Sequence, residues 1–269
     1  MAPRALHLAT PPSTVRGVLF DLDDTFLTHG RVSREAYNAL CDLAEAGLMV
    51  LAVTGRPVHG LGEFAASIWP VAGCVLENGG ALVRRNAASK MRRIDFGTDA
   101  ATQALNETKM RMLERAAALA VPGIQLSEDN KLRRTDISWD VGEHQRPREE
   151  DIAQLTQLAR DAGAFTVRST VHLHARFQDT DKARGSAYFL SAYFGISPAD
   201  ARETLVFVGD SGNDAEAFAF YRHSVGVANL TPRLHEGPQA PRYITQGAMG
   251  AGFAEVAEWV LSARSGGVR

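Results

Sequence analysis

Two short apolar segments, lying most of the chain apart, each run straight into a group of carboxylates. That pairing limits what the chain can fold into. Val15–Phe20 leads into Asp21, Asp23 and Asp24, and Thr204–Val208 leads through Gly209 into Asp210 and Asp214. Both segments are rich in β-branched residues and of strand length. In an open α/β sheet, ligands bind at the carboxyl ends of the strands. Side by side, two such strands gather four or five carboxylates in one crevice. Carboxylates that close repel one another unless a cation sits among them, and an all-oxygen set suits a hard ion such as Mg²⁺. The pattern predicts a metal site and, with it, chemistry on phosphate.

The rest of the chain fits around those two strands. With 269 residues, 45% of them hydrophobic, it can bury a full core and is long enough for two domains. Strand-like and helix-like patterns alternate through the first 84 residues. Ser33 is placed to cap a helix running to Ala46, Leu48–Val53 reads as a buried strand stopped by Thr54-Gly55-Arg56-Pro57, and a helix over 58–67 precedes the strand Gly73–Leu76. The same style returns over 179–269. Strands separated by helices of this length imply βαβ units and a parallel, Rossmann-like sheet, an α/β core. The stretch 85–178 differs: two long helical patterns (99–119 and 148–162) are mixed with extended runs at 132–141, 165–168 and 171–177. It is expected to form an inserted α+β domain between a first core part, 1–84, and a second, 179–269. Residues 84–177 carry 16 Lys+Arg against 13 Asp+Glu, of 29 and 31 in the whole chain. A mildly basic insertion suits a lid over a metal site that takes anionic substrates.

Several function classes drop out. A net charge of −2 gives no reason to expect nucleic acid or an anionic membrane as partner. Cys41 and Cys74 lack zinc or disulfide spacing and read as buried thiols. No stretch has the length and apolarity of a membrane span. Residues 1–16 lack a continuous apolar run and are expected to be a loose tail, not a signal peptide, with the cytoplasm as the default location.

The chemistry is built residue by residue. Asp21 is the candidate nucleophile, attacking phosphorus to form an aspartyl-phosphate. At ~3.5 Å and an effective dielectric of about 20, each unit of like charge opposes that approach by roughly 5 kcal/mol, so Mg²⁺ and a lysine are needed. Asp23 has the offset of a general acid and base, Thr25 closes its turn, and Asp24 reads as a turn residue. Thr54 and Gly55 end a second strand, where a hydroxyl and an N–H suit phosphate oxygens; an ordinary helix cap is the plain alternative. Arg56 favours the phosphate reading. Lysine occurs only at 90, 109, 131 and 182 among the 29 basic residues. In so arginine-rich a chain, Lys182 at the start of a core helix points to a need for a compact charge, a solvated helix start being the alternative. Asp210, Asn213 and Asp214 complete the oxygen set.

These four segments, in this order, resemble the haloacid-dehalogenase (HAD) superfamily of aspartyl-nucleophile phosphatases. Asp21-Leu-Asp23-Asp-Thr25 is similar to its first motif, Thr54 to its second, Lys182 to its third and Gly209-Asp210-Ser-Gly-Asn-Asp214 to its fourth. The resemblance implies Mg²⁺ held by Asp21, the Asp23 backbone carbonyl, Asp210 and Asp214. An acid at Asp23 favours phosphoryl transfer over dehalogenation. The insertion falls where the family places its type C2 cap, and Glu77-Asn78-Gly79-Gly80 resembles the sugar-phosphatase subgroup IIB, near its sucrose-phosphatase end.

The resemblance thus implies a Mg²⁺-dependent phosphatase for a small phosphorylated metabolite, most naturally a sugar phosphate. A hexose phosphomutase and a non-catalytic metabolite-binding protein are the alternatives. Asn78 and Asn213, with Gly55 and Arg56, are expected to touch substrate. Arg133, Arg134, Asp136, His172, His174 and Arg176 are insertion residues able to face the crevice. His172 and His174 share one strand face, which suits hydroxyl binding or packing better than a second metal. A monomer or homodimer is expected.

Overall fold

Hydrophobic residues at alternate positions in the core strands face opposite ways, and helices cover both sides. The computed structural model describes residues 2–85, 92–169 and 171–265. The elements follow in chain order as β1 (Arg4–Ala5), β2 (Gly17–Phe20), β3 (Leu27–Thr28), β4 (Arg31–Val32), α1 (Arg34–Glu45), β5 (Met49–Val53), α2 (Leu61–Ile68), β6 (Gly73–Leu76), β7 (Ala81–Arg85) and β8 (Arg92–Phe96). Next come α3 (Ala100–Ala120), β9 (Ile137–Asp140), α4 (Glu149–Asp161), β10 (Phe165–Arg168) and β11 (His172–Arg176). The chain closes with α5 (Lys182–Phe194), α6 (Pro198–Thr204), β12 (Leu205–Gly209), α7 (Ala215–Phe220), β13 (His223–Gly226), β14 (Tyr243–Ile244) and α8 (Met249–Ser265).

Nine strands form one sheet in the order β1-β14-β13-β12-β2-β5-β6-β7-β8, parallel through β6 and antiparallel beyond it. This is the expected parallel-dominant α/β core. On one face, Val18, Phe20, Val50 and Val208 pack under α1 and α8. On the other, Leu19, Leu51, Val53 and Phe207 pack under α5 and α7. β2, β5 and β12 are buried on both sides, which is why they read as continuous apolar runs. β2 lies between β12 and β5, with Phe20 opposite Val208 and Ala52. The ends that carry Asp21, Asp210 and Thr54 are therefore neighbours.

A second, three-stranded antiparallel sheet, β10-β11-β9, is separate from the first. Its inward residues Ile137, Trp139, Leu173 and Ala175 share an apolar cluster with Leu113 of α3 and Leu155 of α4. Residues 92–96, which the sequence pattern assigns to the insertion, instead hydrogen-bond with β7 and extend the main sheet. The run 86–91 lies outside the described residues. The extended run expected at 132–141 shortens to Ile137–Asp140.

The amino-terminal segment is not a loose tail. β1 pairs in parallel with β14, Leu6 is fully buried in the core, and the Trp259 indole donates to the Ala9 carbonyl at 2.8 Å. A two-residue strand and one leucine are too little for periodicity to register. Substituting Leu6→Ala is expected to lower folding stability by about 2–5 kcal/mol, as for other buried leucines, read as the shift in a denaturant midpoint. An unchanged midpoint would restore the loose-tail reading.

Candidate active site

The first acidic tip is built on an aromatic floor. Phe20 and Phe26 pack against each other and against Phe253 in tilted and edge-on pairs with ring centroids about 5 Å apart, and Trp69 meets Phe26 at 5.0 Å. They flank a wide turn over Leu22–Phe26, in which Asp24 takes a left-handed φ of 53°. Aspartate tolerates that conformation better than most residues. Asp21 caps the turn by accepting from the Leu22 amide at 2.8 Å. The Thr25 hydroxyl, expected to close the turn beside Asp23, instead donates across to Asp210 Oδ1 at 3.1 Å.

Lys182 opens α5 and is fully buried. Its Nζ lies 2.9 Å from Asp21 Oδ1 and 2.7 Å from Asp214 Oδ1. Burial works against the ammonium charge, but those two carboxylates outweigh it and raise its pKa above the ordinary lysine value. The second Asp214 oxygen accepts from the amides of Asp210 and Ser211 at 2.9 and 3.0 Å. Asp214 thus fastens the fourth-motif loop to the lysine. α5 can approach because Gly185 lies against the backbone of Gly79, which has a φ of 102°, and no Cβ fits between them.

Asp21, Asp210 and Asp214 are buried, and each can present an oxygen within 4.8 Å of the other two. Burial pushes Asp21 up to about 7, Asp214 and Asp23 adding to it and Lys182 opposing. Burial, with Asp214 and Asp21, pushes Asp210 well above the usual carboxylate range. One ammonium among three buried carboxylates leaves excess negative charge. An all-oxygen donor set with that excess fits Mg²⁺.

The other anticipated residues lie around this centre. Asp23 is a partly exposed carboxylate held bidentately by Arg56, with Nε–Oδ2 2.9 Å and Nη2–Oδ1 2.6 Å. Arg56, read from the sequence as a phosphate ligand, therefore positions Asp23; that pairing joins residues 33 apart. Thr54 is buried, and its hydroxyl accepts from the Arg56 amide at 3.1 Å. Gly55, Asp23, Arg56, Asp210, Asn213 and His172 all line one crevice of about 740 Å³. Asn213 donates to Asn78 at 3.1 Å, and Asn78 lies 3.5 Å from Asp136, so these two asparagines tie the core to the insertion.

Glu77 was not anticipated. It follows β6 directly, the same signal that marked Asp21, yet no partner for it is visible in the sequence. Fully buried, its carboxylate accepts from the amides of Val58, Arg134 and Thr135 and the Thr135 hydroxyl at 2.5–3.0 Å. Glu77 and Asn78 both take left-handed backbone angles, φ 49° and 53°, unusual for glutamate and held here by those bonds. Arg133, read as facing substrate, is buried: it pairs with Asp129 at 3.0 Å and Asp136 at 2.9 Å and donates to the Gly55 carbonyl at 2.9 Å. Arg134 pairs with Glu107. His174 bonds Asp136 at 3.0 Å and His172 bonds Glu143 at 2.8 Å, so both imidazoles have carboxylate partners.

Such a core, with its acid-tipped neighbouring strands, buried lysine and inserted α+β unit, defines a HAD-superfamily phosphatase of subclass IIB. Within that class the chain belongs to the sucrose-6F-phosphate phosphohydrolase family, whose model matches residues 16–259. It is 26% identical over 242 residues to a phosphoglycolate phosphatase of Methanothermobacter thermautotrophicus, covering 90% of this chain and 96% of that protein. Its fold is similar to that of the Synechocystis sucrose-phosphatase solved with sucrose and phosphate (TM-score 0.67, 19% identity, 91% of this chain and 98% of that one). It is also similar to a Thermoplasma acidophilum protein (TM-score 0.71, 17% identity, 92% and 98%). The protein is a hydrolase of phosphate monoesters, sugar or other small esters. Among the described residues, no helix is long and apolar enough to cross a membrane.

The buried link between core and insertion is pH-sensitive. Burial lowers His174 from 6.5 to about 4, so the unfolded chain takes up a proton in that window and the folded chain does not. The contribution of His174 to stability is therefore expected to be full above pH 6.5, to fall as the pH drops towards 4, and to level off below it, while the raised carboxyls of Asp21 and Asp210 act in the opposite sense. Asp136, whose pKa Arg133 and His174 hold down against burial, contributes a further loss only at more acid pH. Denaturant unfolding of wild type and His174→Gln across this window should show a shallower slope for the variant; equal slopes would exclude His174 as the source.

Proposed function

We propose that the chain is a Mg²⁺-dependent phosphatase in which Asp21 is the nucleophile and the unit over 100–177 is a cap closing on the core crevice. The observation that carries this reading is the convergence of Asp21, Asp210 and Asp214 around Lys182. The Leu22 amide and Lys182 both bond Asp21 Oδ1, which leaves Oδ2 for attack on phosphorus. As that bond forms, the bond to the leaving alkoxide breaks and Asp23 donates the alkoxide its proton. Asp23 then takes a proton from the water that attacks the phosphoryl group, releasing phosphate and Asp21. Arg56 aims Asp23 throughout, and the Thr54 hydroxyl and Gly55 amide border the phosphate position. Asp21, Asp210, Asp214 and the Asp23 carbonyl would hold Mg²⁺, which would supply the charge neutralisation that lets a carboxylate approach a phosphate dianion.

Sugar phosphates are the favoured substrates, on family membership and on a crevice walled by polar groups from both units: His172, Glu143 and Asp129 opposite Asp23 and Arg56. No observation favours the phosphomutase alternative. The site residues are expected to act in the cytoplasm, as monomer or homodimer.

Asp21→Asn is expected to lower p-nitrophenyl phosphate hydrolysis on the order of 10³-fold or more, as for other lost nucleophiles. Chelation should abolish turnover and Mg²⁺ restore it. Full activity in either test would end the reading. Asp23→Asn separates the acid's role by leaving group: sugar-phosphate hydrolysis, which needs a protonated alkoxide, should fall much further than p-nitrophenyl phosphate hydrolysis. Equal losses would remove Asp23 as the proton donor.

A further inference from the structure

A second crevice, of about 1090 Å³, opens on the other side of Asn213, which lines both. Its walls come from α4, β10 and β11 of the insertion and from the fourth-motif loop and the 233–239 region of the core. Arg176, the last residue of β11, lines it and is 5% exposed. Its Nε donates to the Thr180 carbonyl, 2.6 Å away, and its Nη1 is buried with no hydrogen-bond partner. Burial disfavours its charge, and Asp136, Asp179 and Asp181 lie near enough to favour it, but Asp136 pairs with Arg133 and His174, and Asp179 and Asp181 both pair with Arg184.

A buried guanidinium with an unmet donor is costly, and planar oxyanions are the groups that satisfy it best. Across the crevice, Arg233 lies with its guanidinium directly against Gly212 of the fourth-motif loop and, among the described residues, makes no ion pair. Of the other lining arginines, Arg168 pairs with Glu149 and Arg184 with Asp179, while Arg160 donates to the Thr166 hydroxyl at 3.2 Å.

We propose that this crevice is an anion site, in which Arg176 from the insertion and Arg233 from the core receive a carboxylate or phosphate group of a small metabolite. The group is either the far end of the substrate or a separate effector. Its bridging position means that occupancy ties the insertion to the loop carrying Asp210 and Asp214. The anchor stands on the geometry alone; use by the substrate rests on the phosphatase reading.

The test uses the full chain and malonate as probe. In chelator, to remove cations, malonate should raise the Tm of wild type in a dose-dependent way. Arg233→Ala, at an exposed position, should weaken its apparent affinity, and Arg176→Met should weaken it ~10-fold or more, the scale of a lost charged hydrogen bond. Arg176→Lys should recover part of the loss. No stabilisation of wild type, or equal stabilisation of all four proteins, would overturn the site. With Mg²⁺ present, malonate that raises KM for phosphoglycolate but not for p-nitrophenyl phosphate assigns the site to the substrate's far end. Malonate that changes kcat for both esters assigns it to an effector. Equal competition against both esters in every variant would place malonate at the catalytic centre and overturn the proposal. Absent turnover of either ester by wild type would count against the phosphatase reading and leave the Tm arm readable.

Discussion

A single buried ammonium holds this site together. Lys182 stands between Asp21 and Asp214, carboxylates delivered by two adjacent strands whose burial otherwise disfavours their charge. Removing it would leave three buried acids with no internal counter-charge, and breaking a buried pair is far more damaging than losing a surface one. The fold serves that contact: two central strands end side by side, and a glycine-on-glycine approach lets α5 come down on the Glu77–Gly79 turn.

Around the lysine, charge is arranged in two adjoining layers. The inner one is acid-rich and suits a divalent ion. The outer one, Glu77, Arg133, Asp136 and His174, sets one arginine among two acids and joins the core to the insertion through backbone amides as much as through side chains. Asn78 and Asn213 connect the layers. A shift of the insertion therefore pulls on residues one or two bonds from the fourth-motif loop, the coupling that the proposed cap would use.

Much of this was legible in the sequence, and the exceptions are instructive. Asp21, Asp210 and Lys182 could be read because short apolar runs and helix starts fix where a side chain emerges. The core strands were legible because burial on both faces removes polar residues from them. The Arg56–Asp23 pair was not legible because it is a contact between loops, and spacing carries no information about such contacts. The burial of Arg133 was not legible because its neutralising acids, Asp129 and Asp136, come together around it only once the turn between them is folded. The sequence pattern ends the first core part at residue 84 and so gives β8 to the insertion; Arg84 and Asp95 in fact pair with each other across β7 and β8.

The pairing of β2 with β12 has a consequence for how the molecule comes into being. Asp21 leaves the ribosome early, whereas its neighbouring strand and the acids at its tip follow only after the whole insertion has been made. Until then β2 has one open edge, and loop closure across so long a stretch is entropically slow. The nascent chain thus carries Asp21, the proposed nucleophile, without the acids that face it until β12 has been made, and the site then assembles in one step.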